Sequence, residues 1–189
     1  MIIEPLAIPD VKLLRPKRYG DARGWCSETY SARTLADAGI GMAFVQDNQS
    51  FSAQQGTLRG MHWQNPPFAQ AKLVRVLRGA ILDVAVDIRK GSPTYGHHVT
   101  ARLDARDGTQ ILVPEGFAHG ILTLEPDTEL LYKVSAFYSP AHDRGCRWND
   151  PSLAITWPLP ETDLVLSDKD RAQPLLADAD IPFHTRAAA

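Results

Sequence analysis

A histidine that can take a proton and a lysine that can hold an anion stand close together in this chain. His62 lies within Thr57-Leu58-Arg59-Gly60-Met61-His62-Trp63-Gln64, and Lys72 lies within Ala71-Lys72-Leu73-Val74-Arg75-Val76-Leu77. Removing a proton beside a carbonyl needs both functions: a base of near-neutral pKa and a cation where charge develops on oxygen. Both segments read as strands, neighbours along the sequence, so the two side chains are expected to meet inside one barrel.

Other residues add to this pair, each with a plainer alternative. His62 taken alone reads more readily as a packed, hydrogen-bonded core histidine than as a catalyst. His119, in Pro114-Glu115-Gly116-Phe117-Ala118-His119-Gly120, follows a turn and sits between small residues, which leaves room beside it for a ligand. Two histidines on separate strands could also hold a metal, but a mononuclear site needs a further ligand and no His-x-His pair is present. His97 and His98 are adjacent, so on a strand they face opposite ways. Tyr132 suits a strand and packs there with its hydroxyl near water, although a phenol can also serve as a general acid. Tyr138 reads as the end of the same strand. Arg23, Glu28, Arg59 and Lys169 are ordinary solvated charges unless they gather at one mouth, where guanidinium forks would grip a phosphate. Asp170 is accounted for by the Ser-x-x-Asp capping pattern of Ser167-Asp168-Lys169-Asp170 unless it also reaches His62.

The elements that must position these groups are mostly strands. Ile81-Leu82-Asp83-Val84-Ala85-Val86-Asp87-Ile88 carries its acids at a spacing of four, hence on one face. Further short runs are expected over 43–51, 71–77, 98–103, 109–113, 121–124 and 129–136. Turn signals such as Arg78-Gly79, Lys90-Gly91-Ser92-Pro93, Arg106-Asp107-Gly108 and Glu125-Pro126-Asp127 separate them. Many short strands with frequent turns indicate an all-β sandwich or barrel. Two short helices are expected: 31–38, with a serine N-cap and Gly39 as its stop, and 167 through about 176. A strand over 23–30 precedes the core, and 186–189 reads as a frayed terminus. With no linker or internal repeat, residues 1–189 are expected to form a single domain.

Composition narrows the function class. The formal net charge is −2, from 20 basic and 22 acidic residues without a Lys/Arg run, which argues against a nucleic-acid surface. No stretch approaches the roughly 18 apolar residues of a membrane span. Glu4 and Pro5 stand where a signal peptide would need its apolar region, so a cytoplasmic location is expected. The two cysteines, Cys26 and Cys146, read as reduced thiols. Neither GxGxxG after a strand, nor a P-loop, nor a nucleophile elbow occurs, so no tightly held dinucleotide or nucleophilic serine is indicated.

In order along the chain, Arg23-Gly24-Trp25 with Glu28, Gln46-Asp47-Asn48, Leu58-Arg59-Gly60-Met61-His62-Trp63-Gln64 and Ala71-Lys72-Leu73-Val74 resemble the dTDP-4-dehydrorhamnose 3,5-epimerase family. So do Asp83-Val84-Ala85-Val86-Asp87-Ile88-Arg89, Ser92-Pro93-Thr94-Tyr95-Gly96, Pro114-Glu115-Gly116-Phe117-Ala118-His119-Gly120 and Trp148-Asn149-Asp150. The resemblance implies a cupin-type jelly roll, free of metal and cofactor, a homodimer, acting on a dTDP-4-keto-6-deoxyhexose with inversion at C3 and C5. By position it implies His62 as base, Tyr132 as opposing proton donor, Asp170 as the carboxylate behind the base, and Lys72 beside the substrate's C4 oxygen. It implies substrate binding by Arg23, Glu28, Gln46, Asp47, Asn48, Arg59, His119, Tyr138, Asp143 and Lys169. Asp143 stands where the family commonly has glutamate, and Trp25 and Trp63 where it has phenylalanine. Three other functions compete: a single-centre epimerase of a related deoxysugar, a jelly roll that binds sugar nucleotides without turnover, and a metal-dependent cupin.

Overall fold

A computed structural model describes residues 1–185. In chain order the elements are β1 (Ile2–Pro5), β2 (Lys12–Arg15), β3 (Arg18–Asp21), β4 (Gly24–Ser27), α1 (Ala32–Asp37), β5 (Gln46–Ser52), β6 (Leu58–Gln64) and β7 (Lys72–Arg78). They continue with β8 (Ala80–Asp87), β9 (His98–Asp104), β10 (Gln110–Val113), β11 (Phe117–Thr123), β12 (Thr128–Val134), β13 (Asp143–Gly145) and α2 (Asp168–Arg171). One antiparallel sheet has six strands in the order β1-β2-β10-β7-β12-β5, and a second has five in the order β13-β6-β11-β8-β9. Face to face they make the cupin-like jelly roll expected from the sequence.

The two inner faces interdigitate. Val74 and Val76 of β7, Ile111 and Val113 of β10 and Leu130 of β12 pack against Ile81 and Ala85 of β8 and Phe117 and Ile121 of β11. The outer face of the five-stranded sheet is covered as well, because Leu153, Leu176 and Ile181 pack on Met61, Trp63, Val84, Val86 and Ala118. A strand buried on both sides has no polar face, which is why β8 reads as a nearly continuous apolar run. The six-stranded sheet instead leaves Phe51 and Leu77 exposed on its outer side.

His62 and Lys72 sit on strands consecutive in sequence but in different sheets, and they line one cavity inside the barrel from opposite walls. Several other expectations change. The strand over 23–30 is instead the second arm of a separate β3–β4 hairpin turning at Asp21–Gly24, followed by irregular chain. β12 stops at Val134, so Tyr138 belongs to the following loop, and β11 begins at Phe117, ahead of the 121–124 run. α2 ends at Arg171 instead of near residue 176, since Pro174 has no N–H and restricts Gln173 before it. At α1, Ser31 accepts from the Thr34 amide at 3.2 Å, and Gly39 beyond the end has φ 78°. The frayed terminus expected at 186–189 lies outside the described residues. Among the described residues no helix is long and apolar enough to cross a membrane.

Candidate active site

The cleft is built on an irregularity in β6. His62 pairs with His119 on β11, but Arg59 pairs with Ile121, so three steps on β6 oppose two on β11. That extra residue is a β-bulge, and it turns Arg59 and His62 into the same cavity, which strict alternation would forbid. Gly60 makes the bulge possible. Its φ is +130°, and a Cβ there would stand 2.6 Å from the Gly120 Cα and 2.7 Å from the His119 carbonyl oxygen.

His62 comes from the five-stranded sheet. Its Nε2 lies 2.6 Å from Asp170 Oδ1, and Asp170 is 4% exposed. The other carboxylate oxygen accepts a 2.8 Å bond from the Ser167 hydroxyl, which itself accepts from the Asp170 amide at 3.1 Å. Only half of the expected capping box therefore forms, because the Asp170 side chain turns to His62 and Ser167 Oγ. Burial pushes the Asp170 carboxyl up, but the His62 hydrogen bond and charge, with Ser167 and Lys169, outweigh it and hold the carboxyl below its ordinary value. An ionised carboxylate only accepts, so Nε2 donates this hydrogen bond and Nδ1 is the ring nitrogen that Asp170 does not engage.

Tyr132 and Lys72 come from the opposite wall. Val74 is the β7 partner of Tyr132, and Lys72 lies one inward-facing position along, opposite Val134. Burial raises the Tyr132 phenol above its ordinary value, with Arg59 opposing. Burial pushes Lys72 down to about 8, against the attraction of Asp83 and Asp143 and with repulsion from Lys169. The cleft therefore holds a proton-bearing phenol and an ammonium that titrates near neutrality.

Two adjoining cavities share His62, Lys72 and Tyr132. The first, about 300 Å³, is also lined by Ser50, Arg59, His119, Lys169 and Asp170. The second, about 280 Å³, adds Gln46, Asn48, Gln64, Tyr138 and Asp143. Asp143 Oδ2 accepts from Lys169 Nζ at 2.6 Å and from the Tyr138 hydroxyl at 3.0 Å, tying the two cavities together. Gln46 Nε2 donates to Asn48 Oδ1 at 2.8 Å on the inner face of β5.

Three expected site residues are elsewhere. Asp47, between Gln46 and Asn48, points to the other face of β5 and pairs with Lys133 at 2.8 Å. Arg23 sits at the β3–β4 turn, highly exposed, and pairs with Asp21. Glu28 accepts from Thr34 Oγ1 at 3.3 Å, beside α1. Of the two tryptophans, Trp63 is buried and donates to Asn65 Oδ1 at 2.9 Å, while Trp25 is exposed on the hairpin with the Arg18 guanidinium 4.1 Å from its ring centre. Cys26 is free and exposed; Cys146 is free and buried, its thiol pushed up to about 12 by burial and then by Asp150.

Sequence reasoning left out Asp83, Ser167 and Gln64. Asp83 binds His119, and Ser167 holds Asp170 as well as capping α2. Gln64 bridges the loop that carries Tyr138 by accepting from the Ser139 amide at 2.7 Å and donating to the Phe68 carbonyl, also at 2.7 Å. An acid in the middle of an apolar strand was the available signal for Asp83, since a buried carboxylate needs a partner. Among the described residues no cluster of three or more His, Cys, Asp or Glu side chains could hold a metal ion.

Residues 5–178 match the sequence model of dTDP-4-dehydrorhamnose 3,5-epimerase. The chain is 51% identical over 187 residues to the dTDP-4-dehydrorhamnose 3,5-epimerase of Sinorhizobium fredii, covering 97% of this chain and 93% of the relative. A dTDP-6-deoxy-D-glucose-3,5-epimerase of Legionella pneumophila, solved in complex with dTDP-4-keto-L-rhamnose, superposes with a TM-score of 0.93 at 42% identity, covering 98% of this chain and 99% of that one. A 3′-monoepimerase of Streptomyces bikiniensis in complex with dTDP-quinovose superposes at 0.85 with 35% identity, covering 92% and 87%. Matched along nearly its whole length in sequence and in fold, this chain belongs to the dTDP-4-dehydrorhamnose 3,5-epimerase family of isomerases.

Proposed function

We propose that the protein inverts C3 and C5 of dTDP-4-dehydro-6-deoxy-D-glucose to give dTDP-4-dehydro-L-rhamnose, using no cofactor, in dTDP-L-rhamnose biosynthesis. The observation that carries this reading is the opposition of His62 and Tyr132 across one cavity, with the far nitrogen of His62 held by Asp170.

Each carbon to be inverted is next to the C4 ketone, so loss of its proton gives an enolate rather than a bare carbanion. Nδ1 of neutral His62 takes that proton, and Asp170 stabilises the imidazolium that forms. The electron pair left by the C–H bond moves onto the C4 oxygen, where the Lys72 ammonium holds it. The Tyr132 phenol then gives a proton to the opposite face of the same carbon, and the enolate collapses to the ketone with inverted configuration. His62 loses its proton to solvent and Tyr132 regains one before the second carbon reacts. Arg59, His119 and Lys169 supply the positive edge for the pyrophosphate. The exposed ring of Tyr138, with Gln46, Asn48 and Asp143 nearby, offers the thymidine a stacking face and polar partners.

A second copy of the chain completes this reading. Arg23 and Glu28 lie outside the cleft, on and just after a hairpin that exposes Tyr19 and Trp25. Exposed aromatics on a two-stranded ribbon fit docking on another subunit, where Arg23 and Glu28 would serve the partner's substrate. A fully active monomer at assay concentration would remove this part of the proposal.

The deciding experiment is proton NMR of dTDP-4-keto-6-deoxy-glucose with the protein and a chelator in deuterium oxide. Deuterium is expected at both C3 and C5. Exchange at one carbon would assign a single-centre epimerase instead, a reading favoured by the similarity to the 3′-monoepimerase of S. bikiniensis. No exchange would leave a binding module, and exchange lost on chelation would point to a metal-dependent cupin.

A further inference from the structure

The mechanism above uses one of two histidine–aspartate pairs in the cleft. The second joins His119 to Asp83, and His119 is the direct cross-strand partner of His62. We propose that Asp83 is a positioning residue, which acts through His119 to offer its Nδ1 to the substrate and sets a fixed anion beside the cleft's cations. The substrate class rests on the epimerase reading; the orientation of His119 does not.

Asp83 is at 0% exposure in the middle of β8, on the face that carries Ile81 and Ala85 into the apolar core. Its two carboxylate oxygens lie 3.0 and 2.9 Å from His119 Nε2, and among the described residues it makes no other side-chain hydrogen bond. Burying a carboxylate without a partner is strongly unfavourable, so an acid retained here needs the imidazole opposite it. A carboxylate only accepts, which requires the proton on Nε2 and leaves Nδ1 for the ligand. His119 lines the first cavity beside Arg59, Lys72 and Lys169, all cationic. Toward an anionic ligand Nδ1 is useful as a donor, and a ring donating from both nitrogens is the imidazolium, whose charge Asp83 balances. Asp83 also attracts the Lys72 ammonium more than any other carboxylate does, opposing the burial that discharges it. One buried anion thus serves two groups that reach the substrate.

The test has an arm that needs no variant and no turnover. Nitrogen-15 imidazole NMR of the wild-type protein is expected to show His119 carrying a proton on Nε2; an Nδ1–H-only tautomer would overturn the proposal. In the kinetic arm, Asp83→Asn keeps the shape and removes the charge. It is expected to lower kcat/KM roughly 10- to 100-fold, mainly through KM, and to move the alkaline limb of the pH profile to lower pH as Lys72 loses its attraction. In a His119→Ala background the same substitution should cause a much smaller drop in kcat/KM, because the route through the imidazole is gone. A lowered melting temperature with an unmoved pH limb and equal effects in both backgrounds would assign Asp83 a purely structural role. A wild-type protein inactive on the keto-sugar would sink the epimerase reading while leaving the His119 measurement intact.

Discussion

His62 Nε2 and Asp170 Oδ1 stand 2.6 Å apart although 108 residues separate them in the chain. The contact joins the bulged strand β6 to the first turn of α2. Asp170 is fixed from behind by Ser167, so the carboxylate that directs the imidazole is itself held in place.

Removing the proposed base, His62, or its partner Asp170 should separate chemistry from binding. His62→Ala is expected to abolish deuterium uptake at both carbons while dTDP affinity stays within about twofold. Asp170→Asn keeps the shape but permits the wrong tautomer, and kcat should fall roughly 10²–10⁴-fold. Calorimetric titration with dTDP beside the exchange assay checks both, and undiminished exchange in His62→Ala would remove the base assignment.

Tyr132→Phe removes the phenol we propose as the proton donor, and little volume. Net inversion should fall by roughly 10²-fold or more, while abstraction by His62, read as washout of label from substrate, falls less. Equal losses in the two rates would place Tyr132 outside the reprotonation step.

The pH dependence follows from Lys72. In the proposed mechanism its ammonium acts when charged, and burial brings its pKa to about 8, so kcat should decline above about pH 8. Lys72→Arg, which stays charged, should remove that limb even at reduced activity. The same shift bears on stability. Between about 8 and 10.5 the unfolded chain holds a proton at Lys72 that the folded chain has released, so this residue's contribution to stability rises with pH across that window. Lys72→Met should therefore stabilise the protein at neutral pH by about 1–3 kcal/mol while eliminating activity, as read by denaturant melts and the exchange assay.

Gly60→Ala tests the bulge. A methyl group at φ +130° and 2.6 Å from the Gly120 Cα should destabilise by at least about 1–3 kcal/mol. Activity should fall further than stability alone requires, because Arg59 and His62 would no longer share one face. Full activity in a folded Gly60→Ala protein would show that the backbone here tolerates a side chain.

Many of the side chains that line the candidate site were legible in the sequence because the groups involved have restricted uses. Ser167 announced a helix start, and the capping geometry put Asp170 at a fixed place on that first turn. Gly60 stands beside the functional residues because backbone must pass close to backbone there. Less legible were residues whose identity is ordinary. Asp47 sits in a promising triplet, yet strand alternation sends it to the outer face while Gln46 and Asn48 turn inward. Arg23 at the turn of the β3–β4 hairpin and Glu28 just after it line neither cavity of this chain's own cleft, which no local pattern reveals.

The sequence by itself determined the all-β class, through local pattern, and the family, through the resemblance of its ordered motifs, and it named candidate groups for the chemistry. Only the tertiary structure decided that His62 and Lys72 face each other from different sheets, that a bulge turns Arg59 inward, and that Asp83 lies against His119. Those outcomes depend on which strands pair and in what register. Register is set by how the whole apolar surface of both sheets is buried at once, so no window of neighbouring residues contains it.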